Sequence, residues 1–181
     1  HLGLVQAAED AALDAFLEAA AAVAGAQLDI AALLAAARPA QLAAAGGALP
    51  PVPPLGQRIA VAADIAFSFS YPLTLEGWRR AGAEVVVFSP LADEVPDAAA
   101  DAVYLPGGYP ELHAARLAGN LRFLGGLRAA AARGVMIYGE CGGYMVLGRG
   151  LEDAEGQRHA MVGLLPLESS FRTPERHLGY R

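Results

Sequence analysis

Only one cysteine, Cys141, occurs in the 181 residues. A single thiol cannot close a disulfide within the chain, so nothing here points to an oxidising compartment. Basic residues are scarce as well: 13 Lys and Arg stand against 19 Asp and Glu, giving a net charge of -6. Without a basic run the chain lacks the electrostatic footprint of a nucleic-acid or anionic-membrane binder, and neither partner is expected. Long apolar runs are missing too. Residues 19–26 are mostly alanine and contain Gly25, far short of the roughly 20 apolar residues that span a bilayer. The start has no basic segment followed by an apolar run, so no signal peptide is read there. The expected location is cytoplasmic. The chain opens on His1 rather than Met and is expected to be a fragment, cut at least at its front.

What is present is apolar and alanine-rich, 55% hydrophobic, enough for one packed α/β domain with a small appendage. Residues 1–45 read as helical. Leu13, Phe16, Leu17, Ala20 and Val23 recur at helical spacing, with Glu9, Asp10, Asp14 and Glu18 mainly elsewhere on the wheel. Asp29 is placed to cap a second short helix that stops before Arg38-Pro39. Two helices this small cannot bury much and are expected to be the end of a larger preceding domain. Residues 46–57 hold two glycine-rich ends around Pro50-Pro51-Val52-Pro53-Pro54. Proline at this density blocks helix and central strand, so the segment reads as a semi-rigid linker.

From 58 to 181 the texture changes. Strands are predicted at 58–63, 84–88, 101–105 and 135–138, and a helix over 74–81 closed by Gly82. Helical material fills 111–133, with expected breaks near Gly119-Asn120 and Gly125-Gly126. A further short helix follows over 144–147. Continuous apolar strands alternating with helices predict an α/β fold whose mostly parallel sheet is covered on both faces. Ligands of such sheets bind beyond the carboxyl ends of the strands.

The chemistry concentrates at one such end. The fourth strand runs into Gly139-Glu140-Cys141-Gly142-Gly143 and then a helix, a G-x-C-x-G spacing that is the cysteine counterpart of a nucleophile elbow. The turn is so tight that side chains two before and two after the nucleophile would collide, which Gly139 and Gly143 avoid. The cysteine is then expected on a strained backbone, its sulfur projecting into the cleft. The N–H of Gly142 is placed to favour a thiolate or to bind an oxyanion. A second loop, Leu105-Pro106-Gly107-Gly108-Tyr109-Pro110-Glu111, follows the third strand. Its paired glycines let main-chain N–H groups approach a carbonyl, and Gly108 is the expected second oxyanion donor. Gly107, Tyr109 and Glu111 are the expected substrate-binding residues. A buried structural cysteine and an ordinary Pro-Gly turn are the bland alternatives for the two loops. No metal site is expected.

These two loops, in this order, resemble the triad-type glutamine amidotransferase domain, which implies a flavodoxin-like three-layer fold. Ala66-Phe67-Ser68-Phe69-Ser70-Tyr71-Pro72, Phe88-Ser89-Pro90-Leu91-Ala92-Asp93-Glu94, Glu140-Cys141-Gly142-Gly143 and Met161-Val162-Gly163-Leu164-Leu165-Pro166 narrow the resemblance to the cobyrinic (or hydrogenobyrinic) acid a,c-diamide synthases. It runs from His1 to Arg181. It implies that Cys141 attacks the side-chain amide of glutamine, and that the ammonia serves an ATP- and Mg²⁺-dependent synthetase domain that amidates two carboxylates of a corrin. The implied partners are glutamine and, through the synthetase domain, the corrin; a homodimer is left open. ATP and Mg²⁺ belong to the preceding domain, since no G-x-x-x-x-G-K-[ST] loop occurs here. This segment itself is expected to bind no cofactor.

The family's catalytic histidine lies in a Gly-His-Glu-Phe-His segment that these 181 residues do not include. The segment alone is therefore expected to turn over glutamine poorly. Of the histidines present, His113 borders the oxyanion loop, His159 is expected at a surface or an interdomain boundary, and His1 and His177 do not match the catalytic position. Glu140 reads as a hydrogen-bonded carboxylate holding the turn. Asp64, Ser68 and Tyr71 read either as lining a passage toward the synthetase domain or as plain packing and capping. Three other readings stay open: another amidotransferase of the cobyric acid synthase kind, a cysteine hydrolase of the DJ-1/PfpI type, and a non-catalytic docking module. Gly142 argues against the second, which usually places histidine directly after the nucleophile.

Overall fold

A computed structural model describes residues 7, 10–38 and 52–173. The chain divides into two compact units, one ending at residue 49 and the other beginning at residue 50. In the first, α1 (Leu13–Gln27) and α2 (Ile30–Ala36) are both helical. Asp29 caps α2 as expected, its carboxylate accepting from Ala32 N–H at 2.8 Å. Neither helix contains a buried residue. Among the described residues no single helix is long and apolar enough to cross a membrane; α1 and α2 taken together reach that length and composition, with a bend of 79° between them. His1 and His177, most of the Gly46–Pro54 run and the last eight residues lie outside the described residues.

In the second unit a four-stranded parallel sheet has the order β2-β1-β3-β4, built from β1 (Arg58–Ala62), β2 (Glu84–Phe88), β3 (Ala102–Leu105) and β4 (Met136–Gly139). Parallel pairing needs crossovers; helices supply those from β1 to β2 and from β3 to β4, whereas β2 reaches β3 through a segment holding only the short 3₁₀ turn Pro90–Ala92. Successive residues point to opposite faces. Ala60, Ala62, Phe88, Val103 and Leu105 join Phe123, Leu124 and Leu127 of α5 (Leu121–Ala132), Leu117 of α4 (Ala114–Gly119), and Val146 and Leu147 of α6 (Gly142–Leu147) in the larger core. On the other face Ile59, Val61, Ala102 and Tyr104 pack with Trp78 of α3 (Pro72–Arg80). That is the three-layer arrangement expected. The strand order reverses direction beside β1, since β2 lies to one side and β3 to the other. The loops after β1 and β3 stand side by side there, joined by the Phe69–Gly107 bridge, at the carboxyl edge where sheets of this kind bind ligands.

Several details differ from the sequence reading. The helix expected over 74–81 starts at Pro72, where proline's missing N–H costs nothing in a first turn. α5 runs unbroken through Gly125-Gly126, because Gly126 lies close under Val95 and Pro96 and lets the helix pack there. A small second sheet, order β6-β5-β7, was not foreseen. It comprises β5 (Gly150–Glu152), β6 (Arg158–Ala160) and β7 (Glu168–Ser170), with β5–β6 antiparallel and β5–β7 parallel. His159, expected at a surface, is buried on β6, and its Nε2 lies 2.7 Å from Asp153 Oδ2. At the near end of the linker stretch, Leu55 packs on the Ile59 cluster and Gln57 N–H donates to Asp101. Those residues are tied to the α/β unit.

Candidate active site

The elbow forms where β4 ends. Cys141 has φ 49° and ψ -118°, a positive φ that L-residues rarely adopt and that typically marks a functional constraint. Its side chain is exposed. The turn is closed from both sides: Glu140 N–H donates to Leu105 O at 3.2 Å, and Glu140 O accepts from Gly143 N–H at 2.8 Å and Tyr144 N–H at 3.3 Å. Met145 N–H donates to Cys141 O. The Gly142 N–H takes part in none of these bonds.

The glycines are required by space. A Cβ on Gly139 would lie 2.9 Å from the carbonyl group of Gly143, and one on Gly143 would strike the Leu105 carbonyl. A Cβ at 139 would thus crowd the backbone at 143, whereas one at 143 would meet β3 at Leu105 rather than residue 139.

The loop after β3 lies against this elbow. A Cβ on Gly107 would stand 3.1 Å from Cys141 Cβ. A Cβ on Gly142 would meet Pro110 Cδ at 2.6 Å and Gly108 O at 2.9 Å. Gly107, Gly108, Cys141 and Gly142 thus share one small patch at the carboxyl edge of the sheet. Tyr109 is 5% exposed and stands edge-on to Phe69, ring centroids 4.9 Å apart. Glu111 is 8% exposed, and burial raises its carboxyl above the ordinary carboxylate range. Both flank the patch from within the protein.

Glu140 is held from behind. Tyr104 OH donates to its carboxylate at 2.5 Å. Burial first, then this carboxylate, pushes the Tyr104 phenol upward. Tyr104 in turn stacks on Tyr138 at 5.7 Å and meets Trp78 edge-on. His113 closes the 3₁₀ turn Pro110–His113, and His159 is engaged by Asp153. Among the described residues no group of three or more His, Cys, Asp or Glu is disposed to hold a metal ion.

One residue at the carboxyl edge makes bonds that its place in the sequence did not announce. Asp64, after β1, gathers three donors: Ala66 N–H at 2.9 Å, Ser89 Oγ–H at 2.9 Å and Leu91 N–H at 2.8 Å. Its place after the first strand marked it beforehand, with passage lining and capping as the two readings; the short turn Ile65–Phe67 that it caps was not foreseen.

A parallel α/β sheet whose cysteine-bearing turn after β4 lies against a glycine-rich loop after β3 places the chain among the α/β proteins with their site at the carboxyl edge of the sheet. Within that class the chain belongs to the CobB/CobQ-like glutamine amidotransferase domain family, whose model matches residues 58–180. It is 61% identical over 183 residues to a hydrogenobyrinate a,c-diamide synthase of Sinorhizobium sp and 60% over 182 residues to one of Brucella abortus. A third, of Rhodobacter capsulatus, is 58% identical over 181 residues. Each alignment takes in the whole of this chain and 42%, 42% and 41% of the relative, respectively, so the chain spans about two fifths of the curated relatives' length.

Proposed function

We propose that this chain is the glutamine-hydrolysing part of an ATP-dependent corrin a,c-diamide synthase of cobalamin biosynthesis, working in the cytoplasm. The observation that carries the reading is the exposed Cys141 at φ 49° with Gly107 and Gly108 set against it. The sulfur attacks the side-chain carbonyl carbon of glutamine and opens the C=O to a tetrahedral oxyanion. Main-chain N–H groups of Gly142 and Gly108 are assigned to receive that charge. Collapse expels ammonia and leaves a γ-glutamyl thioester, which water cleaves to glutamate and the free thiol. Tyr109 and Glu111, buried in the same loop as Gly107, are assigned to binding of the substrate.

Proton transfer is assigned to a histidine elsewhere in the full-length protein, as the resemblance implies; His159 is held by Asp153. Residues 1–45 are assigned to the end of the synthetase domain, where ATP and Mg²⁺ activate the corrin carboxylates. The names of the relatives favour hydrogenobyrinate over cobyrinate as the corrin.

The test replaces Cys141 by Ser in the full-length protein and measures corrin amidation with glutamine and with ammonium salts. Glutamine-driven amidation should fall by about 1000-fold or more, as for loss of a catalytic nucleophile, while ammonium-driven amidation persists. Equal loss of both would mean that Cys141 serves the fold or the synthetase reaction.

A further inference from the structure

The Gly107–Gly108 peptide is oriented by a hydrogen bond from another loop. Phe69 N–H donates to Gly107 O at 3.0 Å, forming an isolated antiparallel bridge. A trans peptide is planar, so its C=O and N–H point in opposite directions. Fixing the Gly107 carbonyl toward Phe69 therefore fixes the Gly108 N–H away from it. The loop carrying Phe69 sets where the oxyanion donor points.

That loop rests on Asp64. Asp64 caps the 3₁₀ turn Ile65–Phe67 through Ala66 N–H. The carbonyl of Ala66 lies so close beneath Gly108 that a Cβ there would strike it. The second carboxylate oxygen of Asp64 accepts from Ser89 Oγ–H and Leu91 N–H in the loop after β2. This second loop is itself anchored on α5: Asn120 Nδ2 donates to Pro90 O at 2.8 Å and Leu91 O at 3.2 Å, and Phe123 N–H donates to Asp93 Oδ1 at 2.8 Å. A carboxylate is acceptor-only and has room for three such bonds.

We propose that Asp64 is a positioning residue for the oxyanion donor, tying the 65–69 loop to the anchored 89–91 loop so that Phe69 N–H holds the Gly107–Gly108 peptide in its orientation. It touches no reacting atom. The inference rests on the glutaminase reading and adds to it the residue that sets the donor's direction. An oxyanion donor acts on the transition state, so disturbing it lowers kcat with little change in KM. Alkylation of Cys141 by iodoacetamide passes through no tetrahedral oxyanion and reads the elbow alone.

The experiment compares full-length wild type, Cys141→Ser, Asp64→Ala, Asp64→Asn and Ser89→Ala for glutamine hydrolysis, Cys141 alkylation rate and thermal unfolding. For Asp64→Ala kcat should fall about 10- to 100-fold, the loss expected for a misplaced donor. KM and alkylation rate should stay near wild type. Asp64→Asn, which keeps one oxygen acceptor, should lose less. Ser89→Ala removes one of the three bonds and should lower kcat about 3- to 10-fold; it and Asp64→Asn decide the matter if Asp64→Ala does not fold. Wild-type kcat in the folded variants, or kcat and alkylation declining together, overturns the inference. A wild type that does not hydrolyse glutamine, or a Cys141→Ser variant that does, overturns the glutaminase reading and the inference with it.

Discussion

Among the described non-glycine residues only Asp93 and Cys141 have positive φ. Asp93, at φ 56° and ψ 29°, occupies the ordinary left-handed well, which Asp tolerates. Cys141 at ψ -118° lies outside that well, a conformation that costs on the order of 1–3 kcal/mol. It persists because its neighbours leave no alternative. Glu140 is pinned at its N–H, its carbonyl and its carboxylate, while Gly143 fits directly beneath the Leu105 carbonyl. Gly143→Ala should therefore destabilise by about 3 kcal/mol or more, since the clash is with backbone that cannot rotate aside. Gly77→Ala, inside α3 with nothing within 4 Å of the new Cβ, should stabilise by about 0.5–1 kcal/mol through the unfolded chain. Urea unfolding measures both. Equal effects would mean that the elbow relaxes around a methyl group and is not space-limited.

Elements are joined at their ends by carboxylates. Asp101, just before β3, accepts from Arg58 N–H and Gln57 N–H, both at 3.0 Å, and so locks the start of β1 to β3. These N–H groups hold its carboxyl below the usual carboxylate range. Asp97 is lowered first by its bond to Arg58, and Asp153 first by His159. A carboxylate with a folded pKa below its unfolded value binds protons first in the unfolded chain. Its contribution is thus complete above the ordinary range near pH 4 and is lost as pH falls through the lower folded values. The urea midpoint should decline as pH is lowered from about 4.5 toward 2, the window those ordinary values set. Asp101→Asn should flatten that decline; an unchanged slope would remove Asp101 from the account.

The same scale shows what could be read in advance. Continuous apolar strands announced the sheet, and the glycine pair around Cys141 announced the elbow, because each is written in adjacent residues. β5 to β7 are three residues each, with no apolar run to mark them. His159 was hidden for the same reason: Arg158 and Ala160 on either side are exposed, and only the alternation of a strand turns His159 inward. Asp64 joins residues 25 and 27 positions away, a relation that exists only once β1 and β2 pair. The unbroken α5 turned on Val95, another distant neighbour.

At the scale of the whole chain, burial is unevenly shared. The unit from residue 50 onward holds both apolar clusters, including Phe67, Phe123, Ile59 and Leu105 at 1% exposure or less. Its three carboxyl-edge loops, after β1, β3 and β4, meet where the strand order reverses, so the candidate site depends on the sheet being complete. The first unit has the opposite character. α1 and α2 leave Phe16 62%, Val23 64% and Leu34 71% exposed. A helix of 15 residues followed by one of 7 is at the margin of what propensity alone supports in water, because nucleation is costly and no tertiary packing repays it. A peptide of residues 10–38 should accordingly be less than about half helical by circular dichroism near 25 °C. It should lose that signal gradually on heating. Trifluoroethanol should raise it, since the alanine-rich sequence is helix-prone once water competes less for the backbone. A cooperative thermal transition in the isolated peptide would instead mean that α1 and α2 bury a core of their own, through self-association of their apolar faces, and strands from residue 58 onward would no longer hold the only self-sufficient packing in the described chain.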